Sequence, residues 1–131
     1  MIRRAFTMRL KPGAMAEYRK YHDEIWPELV REIEKSKIAH FTTFERDPEL
    51  FLYSEIYDEK AWDRLWNSDI HRKWGEVMEK LMQFKDGIVD FSELNEIFHM
   101  NPKERMKKLR PPKKAKKPAK KAVKSKKKVR R

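Results

Sequence analysis

Apolar residues in the first hundred positions change their spacing in an order that few folds can accommodate. Residues 2–10 place apolar side chains at every second position, which is the period of a half-buried strand. Helical spacing begins near Ala14, after the turn "KPG". A strand hairpin follows at 38–46 and 50–57. Two helical runs cover 58–69 and 70–83, and the last strand is expected at 92–100. The order βαββαβ predicts an α+β, ferredoxin-like fold with an antiparallel four-stranded sheet.

Such a sheet has helices on one face and needs a cover for the other. Several large apolar side chains are expected on the face without helices. Pairing two sheets across these faces would bury them, as in a dimeric α+β barrel. The sequence therefore permits a homodimer.

A proline interrupts the first helical run. Pro27 has no backbone N–H and its ring clashes with the carbonyl of Asp23, so the helix should end between Asp23 and Ile25. The residue before a proline is pushed out of the helical region, which applies here to Trp26. We expect a second helix with Pro27 at its first position and Glu28 in its positive first turn.

Basic residues are concentrated at the C-terminal end. Of the 33 Lys and Arg residues, 17 lie from Lys103 onward, together with only one of the 21 acidic residues. The net charge is therefore +16 from Lys103 onward and −4 over residues 1–102. We expect one domain over 1–102 and a lysine-rich disordered tail over 103–131, since the tail has little to bury and repels itself. The tail either binds nucleic acid or another polyanion nonspecifically, by neutralising phosphates, or serves only as a solubilising extension.

Several classes of protein are disfavoured by what the sequence lacks. There is no cysteine, hence no disulfide framework and no thiol chemistry. No apolar run is long enough for a membrane span, and the start does not resemble a signal peptide, so a cytoplasmic protein is expected. The histidines lack ligand spacing such as H-E-x-x-H, so we expect no metal site.

One helix face carries residues that suit chemistry. Tyr18, His22 and Trp26 follow one another at four-residue spacing and so project from the same side. A histidine titrates near neutrality and can donate or accept a proton. The same row is also typical of core packing, and spacing alone favours core packing.

The other histidines and the tryptophans give weaker indications. His40 is placed on a strand, and His71 near a helix start is expected in solvent. Trp62 and Trp66 are typical of helix packing. Trp74 suits either the core or a surface on which a ligand stacks.

The whole of residues 1 to about 100 resembles the L-rhamnose mutarotase family. The matching stretches are the opening "MIRRAFTMRLKPGAMAEYRKYHDEIWPEL", the spacing from Trp62 through Ser68 to Trp74, and the closing "SELNEIFHM". The segment "IWPEL" downstream of the tyrosine and histidine is the most specific of them. The resemblance implies a ferredoxin-like dimeric α+β barrel.

The resemblance also implies an activity and a set of residues. The family interconverts the α and β anomers of L-rhamnose without a cofactor, so the chain would be an isomerase of the racemase and epimerase class. His22 would be the proton donor, and Tyr18 and Trp74 would contact the monosaccharide. Position 41 would also line the sugar site, but Phe41 stands where the family has a tyrosine, and Gly75 stands where the family commonly has a second tryptophan.

These two departures leave alternatives to an L-rhamnose mutarotase. The enzyme could act on a related 6-deoxy sugar. The chain could instead be a non-catalytic protein that binds nucleic acid or another polyanion through its tail, on a mutarotase-like body. A third alternative is a dimeric α+β barrel that holds a small aromatic or haem-like ligand against His22, which the "YRKYHDEIWPEL" context disfavours.

Overall fold

A computed structural model describes residues 1–110 of the chain. The chain divides into a compact unit, Met1–Ile97, and a second unit that begins at Phe98. None of the helices formed within residues 1–110 is long and apolar enough to cross a bilayer.

The first unit contains one four-stranded antiparallel sheet. Its strands lie in the order β2-β3-β1-β6, which is the ferredoxin-like arrangement, so the predicted fold class is confirmed. The strands span Ile2–Arg9 (β1), Ile38–Arg46 (β2), Glu49–Ile56 (β3) and Phe91–Leu94 (β6). A separate two-stranded ribbon, which the sequence did not predict, pairs Phe84–Lys85 (β4) with Ile88–Val89 (β5).

Four helices belong to this unit. They span Met15–Asp23 (α1), Pro27–Lys35 (α2), Ala61–Trp66 (α3) and Asp69–Glu79 (α4). The predicted break is confirmed: Trp26 is extended, at φ −63° and ψ 130°, and Pro27 opens α2. The chain therefore turns one residue after Ile25.

The strand register decides which side chains share a face of the sheet. Phe6 lies opposite Leu52 on one neighbour and Glu93 on the other. Neighbours in a register point to the same side. The side that includes Phe6, which we call the inner face, also carries Arg4, Met8, Phe41, Leu50, Ser54, Ile56 and Phe91.

The core forms where the inner face meets the helices. Fully buried members come from strands and helices alike, among them Leu10, Leu29, Leu50, Ile56 and Leu65. A buried polar link joins helix and sheet: Trp62 Nε1 donates to Ser54 Oγ at 3.0 Å, and Ser54 donates to the Arg4 carbonyl at 2.8 Å. Both hydroxyl functions of the buried serine are thereby used.

Two predicted C-terminal ends were wrong. The last strand was expected over 92–100 but is Phe91–Leu94, because its pairing with β1 extends only from Met8 opposite Phe91 to Ala5 opposite Leu94. The helix expected over 70–83 ends at Glu79, since the chain then returns to β1 and Gln83 N–H donates to the Arg9 carbonyl at 2.8 Å.

The start of α4 also differs from expectation. Asp69 was a possible cap, but Ser68 is the N-cap, and its hydroxyl accepts from the backbone N–H of His71 at 3.2 Å. Asp69 is the first helical residue instead.

The second unit contains one helix within the described residues, Pro102–Leu109 (α5). The expectation of disorder from residue 103 is wrong for this stretch, because Asn101 caps it: its side chain accepts from Glu104 N–H at 3.1 Å, and Pro102 opens the first turn. The rest of the predicted disordered tail, residues 111–131, lies outside the described residues.

Candidate functional site

A cavity of about 540 Å³ lies between the inner face of the sheet and the helices. Its volume falls within the range of pockets that bind small molecules, roughly 300–1,000 Å³. Tyr18, His22, Phe41 and Trp74, the four residues expected at the sugar site, all line it. The fold thus brings together side chains that come from α1, β2 and α4.

His22 is held by its own helix. Its Nδ1 lies 2.9 Å from the backbone carbonyl oxygen of Tyr18, one turn earlier. A carbonyl can only accept, so the hydrogen sits on Nδ1 and the neutral ring keeps its lone pair on Nε2. Burial lowers the pKa of His22, opposed by the bond to the Tyr18 carbonyl and by nearby Asp23. The histidine is therefore mainly neutral at neutral pH.

Tyr18 packs directly against this imidazole. The two ring centroids are 4.2 Å apart at an angle of 31°. Tyr18 is 5% exposed, and burial raises the pKa of its phenol to about 12. The phenol stays protonated at neutral pH, so it is available as a hydrogen-bond donor. No residue among 1–110 forms a hydrogen bond with that hydroxyl, since the bond from His22 goes to the backbone carbonyl of Tyr18.

Trp74 forms the aromatic wall beside His22. The ring of His22 meets it edge-on at 5.2 Å, and Trp26 and Tyr21 do so at 5.1 Å and 6.3 Å. Trp74 is both buried and part of the cavity lining, so it belongs to the core, and its role as a surface on which a ligand stacks stays a prediction. Trp26, by contrast, packs at the bend against Trp74 and is absent from the lining within residues 1–110.

Phe41 lies on the sheet side of the cavity. Its ring contacts that of Trp62 at 5.6 Å. Because a phenylalanine has no hydroxyl, this position supplies only apolar surface. Trp62 is buried and Trp66 is 47% exposed, and both line the cavity. Trp66 contacts a second helix, through His71 of α4, whereas Trp62 packs on the sheet.

Gly75 leaves the cavity wide at α4. A Cβ built on this residue would have no neighbouring atom within 4 Å outside its own helix backbone. The second large aromatic side chain expected from the family pattern is therefore replaced by open space.

His71 also lines the cavity, so its predicted place in solvent was wrong. Its ring stacks on that of Trp66, with centroids 4.6 Å apart at 34°. Burial lowers its pKa from 6.5 to about 4. A sequence signal for this did exist: His71 is three residues before Trp74, and therefore on the same face of α4.

An ion pair on the inner face lines the same cavity as His71. Arg4 donates to Glu93 from Nε at 2.7 Å and from Nη2 at 2.8 Å, and its guanidinium carbon lies 5.3 Å from the centre of the Phe6 ring. Phe6 stacks on Phe91 at 5.1 Å, and Phe91 reaches Trp66 at 6.1 Å. The positive charge of Arg4 on β1 is therefore balanced by the negative charge of Glu93 on β6.

The remaining predictions concern groups away from the cavity. His40 is exposed on the outer side of the sheet, where its Nε2 lies 3.1 Å from Glu55. Among residues 1–110, no three His, Asp or Glu side chains are grouped so that they could hold a metal ion.

Comparison with known proteins identifies one family over nearly all of the first unit. A family model described as L-rhamnose mutarotase matches residues 3–100. The L-rhamnose mutarotase of Oceanobacillus iheyensis is 36% identical over 104 residues, covering 77% of this chain and 100% of that protein. The one from Tolumonas auensis is 41% identical over 85 residues, covering 63% and 81%.

Solved structures give the same picture. The crystal structure of an L-rhamnose mutarotase from Formosa agariphila superposes with a TM-score of 0.66 at 27% identity, covering 77% of this chain and 100% of that one. The crystal structure of an antibiotic biosynthesis monooxygenase superposes with a TM-score of 0.53 at 12% identity, covering 74% of this chain and 99% of that one. The second similarity concerns the fold alone.

Proposed function

The chain belongs to the L-rhamnose mutarotase family, and from this premise we propose how its residues act. The family consists of isomerases, of the racemase and epimerase class, that interconvert the α and β anomers of L-rhamnose. This protein is accordingly an enzyme with that reaction. We propose that the cavity holds the sugar and that His22 moves the protons.

Mutarotation of a pyranose breaks the bond between the anomeric carbon and the ring oxygen. Opening the ring requires a proton on the ring oxygen and the loss of one from the anomeric hydroxyl. The open-chain aldehyde then turns and closes on its other face, with the two proton transfers reversed. Nothing is oxidised or reduced, so the reaction needs only a group that gives and takes protons near the working pH.

His22 suits this task because of one hydrogen bond, which carries the proposal. The Nδ1–H group is committed to the Tyr18 carbonyl at 2.9 Å, so the Nε2 lone pair is the exchangeable position. A fixed tautomer also fixes the direction in which the proton leaves the ring. We propose that Nε2 accepts a proton from the anomeric hydroxyl and, as imidazolium, returns one to the ring oxygen.

The residues around His22 fit a deoxy sugar. Trp74 and Phe41 offer apolar surface to the methyl group and the C–H face of the ring. Tyr18 adds a protonated phenol, which can donate to a sugar oxygen. We propose these three as the residues that bind the substrate.

The identity of the sugar depends on the two positions that depart from the family pattern. Phe41 lacks a hydroxyl, and Gly75 leaves open space at α4. We propose that the substrate is L-rhamnose or a related 6-deoxy sugar.

Anomer exchange measured by NMR saturation transfer tests the role of His22. His22→Ala should reduce exchange of L-rhamnose to the uncatalysed rate, while His40→Ala, a matched change on the opposite side of the sheet, should leave exchange as in the unmodified protein. Catalysed exchange that persists in a folded His22→Ala variant would refute the assignment.

We also propose that the protein is a homodimer joined through the outer face of the sheet. Two apolar side chains on that face are exposed to solvent, Phe44 to 61% and Leu94 to 46%. Sedimentation should give a dimer mass that Phe44→Glu reduces to that of a monomer; a monomeric unmodified protein would contradict this. A cytoplasmic location and polyanion binding by the tail stay predictions.

A further inference from the structure

His71 is a second histidine in the cavity that the mechanism above does not use. It lies on α4, three residues before Trp74, whose ring contacts that of His22. Residues three apart on a helix are neighbours on one face. The two histidines line the same cavity, one from α1 and one from α4.

The ring of His71 is positioned by its contact with Trp66, and its two nitrogens form no hydrogen bond with residues 1–110. Trp66 covers one face of the imidazole at 4.6 Å. The backbone N–H of His71 is used by Ser68, but neither ring nitrogen has a hydrogen-bond partner among residues 1–110. Neither nitrogen is buried without a partner, so both are accessible to a molecule in the cavity that His71 lines.

Gly75 keeps this imidazole accessible. Helical side chains point back toward the N-terminus, so the side chain at position 75 would cover the turn that contains residue 71. With glycine there, no atom outside the helix backbone lies within 4 Å of where a Cβ would stand. The departure from the family pattern at Gly75 thus uncovers His71.

We propose that His71 binds a hydroxyl of the sugar and sets which sugar the enzyme prefers. A neutral imidazole presents one donor and one acceptor, and a hydroxyl can satisfy either. Because burial holds the pKa of His71 at about 4, the ring stays neutral over the range in which the enzyme would act. Arg4 and Glu93, which line the same cavity, are already paired with each other, whereas the ring nitrogens of His71 have no partner among residues 1–110.

This inference rests on the proposed function, since it places the sugar in the same cavity. It assigns His71 to binding and not to proton transfer, which His22 performs. Loss of His71 should therefore change KM and leave kcat nearly unchanged.

The test compares three variants in the anomer-exchange assay on L-rhamnose and other 6-deoxy sugars. His71→Phe, which keeps the stacking on Trp66, should raise KM roughly 5- to 10-fold, as the loss of one hydrogen bond implies, with kcat within about twofold. His71→Gln restores a donor and an acceptor and should recover part of the loss. His40→Phe is the control, an exposed histidine on the outer face, and should change neither constant.

A binding measurement on the unmodified protein keeps the inference independent of folding and of catalysis. The ring-proton NMR signals of His71, assigned with His71→Gln, should shift on titration with L-rhamnose. Unchanged KM in His71→Phe, or unshifted His71 signals in a protein that catalyses exchange, would overturn the inference alone. Absence of exchange in the unmodified protein would instead refute the proposed function, and the His71 shifts would still show whether the sugar contacts this residue.

Discussion

Replacing Gly75 by alanine should stabilise the protein. Gly75 is the seventh of eleven residues in α4, well inside the helix. Glycine in a helix interior costs about 0.8–1.0 kcal/mol relative to alanine, because it loses more backbone entropy on folding. The added methyl group meets no atom within 4 Å outside the helix backbone, so no clash opposes this gain.

The expected effect of Gly75→Ala is therefore a gain of about 1 kcal/mol in the free energy of unfolding. For a domain of this size that corresponds to a rise in Tm of roughly 4–8 °C. Urea titration and calorimetry measure both quantities. Gly13→Ala and Gly87→Ala are matched controls with the opposite sign, since these glycines have φ of +81° and +84° and alanine would be strained there.

A lower or unchanged stability of Gly75→Ala would refute the reasoning. It would mean that position 75 is not in regular helix or that the space beside it is filled. The stability is measured without sugar, so a change in sugar binding cannot contribute to the result.

Three further outcomes depend on particular contacts and charges. Ser54→Ala removes the acceptor of the buried Trp62 Nε1–H and should cost about 1–3 kcal/mol in urea titration; a loss below about 0.5 kcal/mol would contradict it. The folded state lowers the pKa of His71 from 6.5 to about 4, so the unfolded chain binds more protons between these values and stability should fall as pH decreases from 6.5 toward 4. His71→Phe should flatten that dependence, and an equally steep curve would count against it. Finally, removing residues 103–131 should weaken binding to DNA at low salt; equal binding by both forms would leave the tail as a solubilising extension.

The fold was predictable because its signals are local. Alternation in residues 2–10, the hairpin after Ile38 and the helical spacing in α1 and α4 each follow from nearby residues. Pro27 determines the break between α1 and α2 through its own ring and missing N–H. The wrong boundaries lie mainly after residue 79, where the extent of β6 depends on pairing with β1, which is far away in the sequence.

The candidate site was predictable in part. Tyr18 and His22 stand one helical turn apart, and the pattern around "IWPEL" singled them out from ordinary core residues. Trp74 and Phe41 join them in the cavity as expected. Their roles in binding and catalysis stay predictions until the variants are measured.

What the sequence alone determined is the order of the elements, the position of the helix break and the residues that share each helix face, since all three depend on chain geometry over a few residues. It also identified the family, through motifs that span nearly the whole first unit. Only the tertiary structure decided which face of α4 looks into the cavity, and so moved His71 from solvent to a place beside Trp66. The physical reason is that helical spacing defines a face but not its neighbour, which the sheet and the opposing helix supply on folding.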